Sequence, residues 1–363
     1  MIKCIEMDYP YSESTTPELK TQGFFCRFFI KKAILLCLIS AVMAVILGGF
    51  SPAFAEDPLG TRITCLPPEP NVNHRIINET PEKILWSLPD KKNVWISKKP
   101  KRVVVLLTSL LHLWYETDGQ AIARCSGKLH VPKQALGLPE VGTFNNPNAE
   151  KIIALQPDLV ISSNLPAFRR LIPILEENKI QYAYFNYINF YDYNRILTLF
   201  SKLNHTEDRV RQLQDRMTAK IEAIQASIKG FKAPRVLVAF STANSVSCEV
   251  NGSQTCLMLS MLGAENIIPE RFSTKNRTRI QFSLERIVCL DPDIILLNTM
   301  GDVDECRDRL ETEFSGNQAW AGLRAIKEKR FFVLPKEYFL YKPNAGFPDA
   351  LQYLADLLYG KKI

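Results

Sequence analysis

Two periodicities of hydrophobic positions alternate along residues 94–205. Short β-branched runs such as RVVVLL (102–107) and DLVISS (158–163) alternate with stretches such as SLLHLWYE (109–116), where apolar residues recur at helical spacing. Short apolar runs between turn residues predict strands, and the wider spacing predicts helices. Strands that alternate with helices in this way are typical of a parallel sheet covered by helices.

The pattern changes at residues 206–230, TEDRVRQLQDRMTAKIEAIQASIKG, which contain no proline and no glycine before Gly230. Apolar side chains fall three or four residues apart, at Val210, Leu213, Met217, Ile221, Ile224 and Ile228. This spacing predicts one long helix, with Thr206 as its cap and Gly230 at its end. At ~1.5 Å per residue it forms a rod of roughly 35 Å. A coiled coil needs more heptads, so we expect a helix that connects two halves of the chain.

The two halves are related by an internal repeat. Residues 148–164 read NAEKIIALQPDLVISSN, and 135 positions later residues 283–299 read SLERIVCLDPDIILLNT. Five of the nine positions from Glu150 to Asp158 recur unchanged, and RVLVAF (235–240) repeats the first strand pattern RVVVLL. A period of this size is that of a domain, since solenoid repeats have periods of roughly 20–50 residues. We therefore expect an α/β fold of two Rossmann-like lobes with parallel sheets, joined by a single long α-helix.

The N-terminus has the order of a secretory signal. Basic residues between Arg27 and Lys32 precede an uncharged run at residues 33–50, and small residues stand at Ala53 and Ala55. This order predicts a signal peptide, cleaved after Ala55, and release into a periplasm. The alternative is an uncleaved anchor that holds the protein at the outer face of the cytoplasmic membrane, because the apolar run is just long enough to span.

The other boundaries follow from composition and pattern. We expect a signal peptide, a poorly structured lead-in rich in Pro, Asn and charge, an N-terminal α/β lobe, the interdomain helix and a C-terminal α/β lobe, at residues 1–55, 56–93, 94–205, 206–230 and 231–363.

Composition and charge fit an ordinary globular protein, with 46% hydrophobic and 23% charged residues. The net charge of +7 accompanies no RNA-binding motif, so we expect scattered surface charge and no nucleic acid partner. Six of the nine cysteines follow Ala55: Cys65, Cys125, Cys248, Cys256, Cys289 and Cys306. Their spacing contains no C-x-x-C and leaves the disulfide pairing open. Cys289, in an apolar helical stretch, is expected in the core.

From Lys101 onwards the motifs resemble those of a known family. Six segments have the order and spacing found in periplasmic substrate-binding proteins of ABC importers for iron-siderophores, haem and cobalamin: KRVVVL (101–106), VGTFNNPNAEKIIALQPDLVI (141–161), the long helix, LGAENI (262–267), FSLERIVCLDPDIIL (282–296) and NQAWAGLRAIKEKRFFVLP (317–335). The resemblance implies a ligand cleft between two helix-bridged lobes, and a monomer.

What this family does is implied for the chain by the same resemblance. The protein would capture an iron complex, either a siderophore or haem, and deliver it to the membrane permease subunits of an ABC importer. Cobalamin, a corrinoid, is the alternative ligand. The resemblance implies no catalysis and no intrinsic cofactor.

Candidate ligand-binding residues lie where strands end, because ligands of open parallel sheets bind beyond the carboxyl ends of the strands. Polar or exposed positions of this kind are Thr108, Ser109, Asn145, Asn146, Ser163, Asn164, Thr242, Asn244, Thr299 and Met300. Aromatic and basic residues suit a large, flat, partly anionic ligand. These are Tyr187, Lys275, Asn276, Arg277, Arg279, Tyr338, Tyr341 and Lys342.

The aromatic and basic residues of this set each have an alternative interpretation. We expect Tyr184, Phe185 and Tyr187 to face Tyr338, Tyr341 and Lys342 across the cleft. Packing in the core is the alternative for each tyrosine, and a surface salt bridge is the alternative for each arginine.

The repeated acids Glu150 and Glu285 stand two residues after their helix caps Asn148 and Ser283. In the family that the chain resembles, one surface glutamate per lobe faces arginines of the membrane subunits. The resemblance therefore implies that Glu150 and Glu285 are transporter-docking residues. The alternative is that each only complements a helix dipole, a contribution of about 0.3–1 kcal/mol.

A bare-metal binder and an enzyme are the remaining classes. A zinc or manganese site needs three or four converging His, Asp or Glu ligands, and the chain has only His74, His112, His130 and His205. No metal site is predicted, and haem ligation by a tyrosine or by Met300 stays open. The chain lacks the G-x-S-x-G, Walker, H-E-x-x-H and G-x-G-x-x-G motifs. A metallocluster enzyme of similar fold needs clustered cysteines, which the chain lacks.

Overall fold

The computed structural model describes residues 75–127, 130–272, 277–281, 283–314 and 318–360. The predicted signal peptide, its cleavage site and the first half of the lead-in lie outside these residues, as do Cys65, Lys275 and Asn276. Among the helices in the described ranges, none combines the length and the apolar character needed to cross a bilayer.

The described part of the lead-in is folded, where we expected it to be poorly structured up to residue 93. It forms an antiparallel sheet of three strands, β1 (Ile76–Glu79), β2 (Lys83–Ser87) and β3 (Asn93–Ser97). Ile84, Trp86 and Ile96 on one face are fully buried, and the Ser97 N–H donates to the Gln181 side chain at 2.9 Å. Burial against the lobe, a tertiary contact, outweighs the polar local composition.

The N-terminal lobe continues with strands β4 (Val103–Val105), β5 (Ala121–Arg124), β6 (Gly142–Thr143), β7 (Asn146–Pro147), β8 (Leu159–Ser163) and β9 (Gln181–Phe185). Its helices are α1 (Thr108–Glu116), α2 (Ala149–Ala154), α3 (Pro166–Glu177) and α4 (Phe190–Asn204), with a 3₁₀ turn at Lys133–Ala135. The sheet order is β5–β4–β8–β9, and all three pairings are parallel. This confirms the parallel sheet that the alternating pattern predicts.

The connecting helix α5 (Glu207–Ser227) follows directly after α4. Its buried residues Val210, Met217, Ile221 and Ile224 lie on the predicted apolar stripe. The expected cap is wrong: the Thr206 hydroxyl donates to the Thr117 carbonyl oxygen at 3.4 Å and caps no N–H of the helix. A carbonyl of the neighbouring lobe thus competes successfully with the local capping bond.

The C-terminal lobe contains strands β10 (Arg235–Thr242), β11 (Val246–Glu249), β12 (Glu265–Asn266), β13 (Arg279–Ile280), β14 (Ile294–Met300) and β15 (Phe331–Val333). Its helices are α6 (Gln254–Met261), α7 (Leu284–Leu290), α8 (Val303–Phe314), α9 (Gln318–Ala321), α10 (Arg324–Lys327), α11 (Lys336–Phe339) and α12 (Phe347–Tyr359), with 3₁₀ turns at Glu270–Phe272 and Asn344–Gly346.

The sheet of this lobe is mixed, where we expected a parallel one. Its order is β13–β11–β10–β14–β15, with β12 paired to the start of β10. Strands β10, β12, β14 and β15 are parallel, but β11 is antiparallel to both β10 and β13. The reversal occurs in a tight turn, where the Thr242 N–H donates to the Ser245 carbonyl at 2.9 Å. Such turns depend on polar residues such as those in TANS, which the strand pattern obscures.

Buried side chains connect the lobes. One core cluster runs from the N-terminal lobe through α5 and α12 to one face of the second sheet, and a smaller cluster covers the opposite face. The thiols of Cys125, Cys248, Cys256 and Cys306 are buried, whereas Cys289 is exposed, which contradicts the expectation that it lies in the core.

Candidate functional site

Most of the predicted N-terminal site residues lie at the carboxyl ends of the strands, but several side chains already have protein partners. Thr108, the first residue of α1, has its hydroxyl 3.8 Å from the Cys125 sulfur. The Asn164 amide, just after β8, donates to Asn186 at 2.8 Å and accepts from Arg169 at 2.8 Å. Ser163 ends β8 and is half-buried. Both polar groups of the Asn164 side chain therefore already have hydrogen-bond partners within the protein.

The loop between β6 and β7 presents Asn145 and Asn146 to solvent. It is fastened to the end of β5, since the Ser126 N–H donates to the Gly142 carbonyl at 2.7 Å. Gly142 has a φ of +94°, and a Cβ there would lie 2.5 Å from the Asn146 carbonyl oxygen. Only glycine fits this turn without strain, which explains why the loop begins with glycine.

The C-terminal strand ends divide into exposed and enclosed positions. Met300, at the end of β14, is 51% exposed, and Asn244 lies on the surface in the turn after β10. The Thr242 hydroxyl accepts the Asn244 N–H at 3.2 Å and so stabilises that turn. Thr299 is 1% exposed, as is its neighbour Asn298, because β14 is a central strand that is covered on both faces. Contact between Thr299 and a ligand stays a prediction, although its side chain is covered in this structure.

A short segment after β15 crosses to the N-terminal lobe. We call residues 341–345 the crossing segment. The Tyr187 hydroxyl donates to the Asn344 side-chain oxygen, and the Asn344 amide donates to the Ser109 carbonyl at 3.4 Å. The Lys342 ammonium donates to the Ile188 carbonyl and lies 5.7 Å from the Tyr187 ring. Tyr187, Ser109 and Lys342, three predicted site residues, thus meet at one seam between the lobes.

The same seam holds a stack of rings that sequence reasoning missed. The His130 ring lies 4.7 Å from the His112 ring on one side and stacks on the Tyr341 ring at 5.2 Å on the other. A His112 ring nitrogen is 2.9 Å from the His130 carbonyl oxygen. The two histidines are 18 residues apart on different elements, so no local spacing pattern signals the cluster.

Burial and the neighbouring His112 lower the pKa of His130, with Glu337 acting weakly in the opposite direction. The imidazole is therefore neutral at neutral pH, which is the form that binds metal ions. Because His130 and His112 come from the first lobe and Tyr341 from the crossing segment, the stack is a contact between the two lobes.

A buried carboxylate lies behind the crossing segment. The last residue of α1, Glu116, accepts the Tyr193 hydroxyl at 3.0 Å and the backbone N–H of Ala345. Burial raises the pKa of Glu116 to about 7, against the opposing effects of these hydrogen bonds and of Arg209. Burial, and then the charge of Glu116, raise the pKa of Tyr187 and of Tyr193.

Cations line the second-lobe side of the seam. The Lys342 ammonium is enclosed although part of the residue reaches the surface, and burial lowers its pKa to about 8. Asp192 and Glu249 oppose that shift, and Arg279 adds to it. The Arg279 guanidinium stacks on the Phe240 ring at 3.6 Å. Lys342 and Arg279 thus form a positive region, while Arg277 is exposed on the surface.

Behind these cations the second lobe contains a buried polar network. Asn298 donates to the Glu249 carboxylate at 2.7 Å and to the Thr255 hydroxyl at 2.9 Å. Among the described residues, the Asn298 side-chain oxygen finds no hydrogen-bond partner.

The predicted aromatic faces form only in part. Tyr184 and Phe185 are buried within β9, and Tyr338 packs against Phe339 and Tyr353 at ring distances of 6.3 and 6.1 Å. For these three residues the core alternative holds. We expected them to face one another across the cleft, but Tyr184 and Phe185 are buried because both faces of β9 are covered.

The acids predicted for docking are both on the surface. Glu150 is in the first turn of α2 and Glu285 in the first turn of α7. The pKa of Glu285 is lowered by its own backbone N–H and by the Ser283 hydroxyl. Within the described ranges, no group of three or more His, Cys, Asp or Glu side chains converges as a metal site.

Residues 103–338 match the family described as "Periplasmic binding protein". That span includes both lobes and the helix between them. The chain belongs to this family. Its members are binding proteins that work outside the cytoplasm, and the fold of two α/β lobes agrees with that membership.

Several proteins to which this chain is similar have a ligand in their names. The high-affinity heme uptake system protein IsdE of Staphylococcus aureus is 22% identical over 262 residues, which cover 72% of this chain and 88% of IsdE. Its crystal structure with heme superposes with a TM-score of 0.62 at 22% identity, over 71% of this chain and 98% of that one.

Two further solved structures share the fold. The periplasmic heme-binding protein HutB of Vibrio cholerae has a TM-score of 0.59 and 20% identity, over 71% of this chain and 98% of HutB. The vitamin B12-binding protein BtuF of the same organism has a TM-score of 0.56 and 17% identity, over 71% of this chain and 96% of BtuF. At such identities the likeness establishes the fold alone.

Proposed function

We propose that the protein is exported, captures haem between its two lobes and delivers it to the permease subunits of an ABC importer. The observation that carries this proposal is the contact between His130 of the first lobe and Tyr341 of the crossing segment. Imidazole nitrogen and phenolate oxygen are both ligands of haem iron. Because the two rings touch, a ligand that enters between them has to separate the lobes at this point.

The surroundings of the ring pair suit a large, flat ligand with acidic groups. Exposed apolar side chains lie at strand ends of both lobes, Phe144 at 45% and Met300 at 51% exposed, and Leu136 after the 3₁₀ turn is 61% exposed. Exposed apolar groups near a cleft are typical of ligand-binding surfaces. The cations Lys342 and Arg279 supply the complement for carboxylates of the ligand.

A titration of the purified protein with haem tests the proposal. We expect one equivalent to bind with a Kd in the micromolar range or tighter, about −8 kcal/mol or better, with tryptophan quenching and a shifted haem absorption band. A ferric siderophore and cobalamin are the competing ligands. Tight binding of cobalamin with no response to haem would show that the corrinoid is the ligand, and saturation by Zn²⁺ or Mn²⁺ alone would show a bare-metal binder.

The chain offers a matched control for the role of His130. His130 and His205 are both exposed and have the same left-handed φ of +56°, which asparagine tolerates well. We expect His130→Asn to weaken haem binding about tenfold or more and to change its absorption spectrum, and His205→Asn to change neither. If the two variants bind haem alike, His130 does not contact the iron.

Export is a separate part of the proposal and has its own test. The basic, apolar and A-x-A order at residues 27–55 predicts that the exported protein begins at Glu56. N-terminal sequencing of the protein from its host measures this directly. Recovery in the membrane fraction with residues 33–50 still attached would instead support the signal anchor.

A further inference from the structure

The N-terminal sheet has one buried face and one face that is partly open to solvent and carries apolar side chains. Leu85 pairs with Trp95 across β2 and β3, and Asn78 pairs with Leu85 across β1 and β2, so these side chains share a face. On that face Trp95 is 42% exposed and Leu85 is half-buried, and Ile77, the extra residue at the irregular step of β1 beside them, is 44% exposed. We call Ile77, Leu85 and Trp95 the outer face.

Positive charge is concentrated in the segment that forms this sheet. Residues 75–102 contain eight Lys or Arg against three Asp or Glu, a net charge of +5 out of +7 for the whole chain. This result corrects the expectation of scattered charge. Six of these cations form no ion pair with any residue of the described ranges: Arg75, Lys83, Lys91, Lys99, Lys101 and Arg102.

We propose that the outer face and its flanking cations are a peripheral binding surface for a membrane rich in anionic lipid. Tryptophan is favoured where an apolar environment meets a polar one, as at a lipid headgroup layer. Unpaired lysines around it are attracted to the negative potential of anionic lipids. A protein partner that fits the outer face alone would not require the surrounding excess of positive charge.

One further feature agrees with this occupant. Lys83 lies on the same face as Leu85, since side chains two residues apart in a strand point the same way. Contact with lipid keeps the protein near the membrane that contains its importer, and the inference does not depend on which ligand is carried.

Vesicle binding tests the inference, using the exported protein with its N-terminus established by sequencing. The probes are vesicles of phosphatidylglycerol with phosphatidylcholine, against vesicles of phosphatidylcholine alone. We expect binding to the anionic vesicles that is about tenfold stronger and that weakens as salt is added. Trp95 reports the contact itself: Trp86 and Trp114 are fully buried and Trp320 is 7% exposed, so a blue shift of emission on binding comes from Trp95.

Two sets of variants separate this surface from others. Trp95→Ser should lower binding to anionic vesicles about tenfold, and Leu136→Ser, which removes another exposed apolar side chain, should not. Lys83→Glu with Lys91→Glu should abolish the preference for anionic lipid, while Lys229→Glu with Lys327→Glu should retain most of it. Haem affinity should be unchanged in Trp95→Ser, because the sheet is apart from the ring stack.

Three outcomes contradict the inference. Equal binding to both kinds of vesicle, or binding that Trp95→Ser does not weaken, would exclude the outer face as a lipid surface. A dimer in light scattering that Trp95→Ser converts to monomer would instead assign the face to a second copy of the chain. In that case emission would shift with protein concentration in the absence of lipid.

Discussion

Both lobes contain the same set of hydrogen bonds, which joins the repeated helix and strand to another strand of the sheet. In the first lobe, Asp158 accepts the backbone N–H groups of Lys101 and Arg102 at 2.6 and 3.0 Å, and the Arg102 side chain donates to the Leu155 and Gln156 carbonyls. These bonds join the end of a repeated helix and the start of a repeated strand to the first strand of the lobe.

The second lobe uses the same contacts at equivalent positions. Asp293 accepts the Arg235 N–H at 2.8 Å, and the Arg235 side chain donates to the Leu290 and Asp291 carbonyls at 2.7 and 3.4 Å. The repeated Pro-Asp pair is therefore explained by structure, since its aspartate ties two parallel strands together at their amino ends, away from the cleft.

The lobes differ where the cleft is made. The ring stack and the crossing segment lie outside the repeats, as does the hairpin that gives the second lobe its antiparallel strand β11. The duplicated segments therefore supply the scaffold, whereas the residues proposed to contact the ligand come from segments found in one lobe only.

The largest effect concerns the acids that the two repeats have in common. Glu150→Ala combined with Glu285→Ala should abolish haem uptake by cells, because losing one partner of a charge pair at an interface costs about 2–5 kcal/mol. Haem affinity in solution should be unchanged, since both side chains are on the surface. Uptake is measured with radioactive or fluorescent haem, and the exposed pair Glu177→Ala with Glu328→Ala is the control. Normal uptake by the double variant would leave helix dipoles as the only role of both acids.

The next effect concerns Glu116, the buried carboxylate that the first lobe supplies to the seam. The pKa of Glu116 is raised from 4.5 to about 7, so the folded protein holds a proton there that the unfolded chain loses. The stability from this group is complete below pH 4.5 and is lost as pH rises to about 7, a change of about 3 kcal/mol. Glu116→Gln should remove this part of the pH dependence, as measured by urea unfolding at a series of pH values. A wild-type profile that matches the variant's would show that Glu116 stays ionised.

Removal of the aspartate from this set of hydrogen bonds, in each lobe in turn, should have a smaller effect. Asp158→Ala should lower the free energy of unfolding by about 1–2 kcal/mol, because two backbone N–H groups lose a charged acceptor. Asp293→Ala should cost about the same, since Asp293 accepts one backbone N–H and also pairs with the half-exposed Arg324 at 2.8 Å. Urea unfolding measures both, with Asp208→Ala on the exposed surface of α5 as the reference. A loss for Asp293→Ala of only half that for Asp158→Ala would mean that Arg324 contributes nothing.

The smallest predicted effect is at the crossing segment. Tyr187→Phe leaves the buried Asn344 oxygen without the hydroxyl that it accepts, at a cost of about 1 kcal/mol in stability. Because that bond joins the lobes, the variant should also open the seam more often. Hydrogen exchange at Ala345 and Asn344 should become faster while exchange in β4 and β8 stays unchanged. Uniform acceleration would indicate a global loss of stability instead.

The local pattern of apolar and polar residues was sufficient to predict much of the secondary structure. The period of apolar residues identified α5 and the parallel strands, and Asn148 caps α2 as expected, accepting the Lys151 N–H at 2.9 Å. It failed for β1 to β3, whose buried Trp86 is explained only by a neighbouring lobe. The burial of Thr299 likewise follows from packing on both faces of β14.

The candidate site shows the same division. The sequence by itself determined the two lobes, the helix between them and the strand ends around the cleft, because those depend on periodicity and on a repeat. Only the tertiary structure brought His112, His130 and Tyr341 into one stack and placed Ala345 on Glu116. These contacts join residues up to 229 positions apart, and the energy that selects them arises from burial between elements, which no local window of sequence contains.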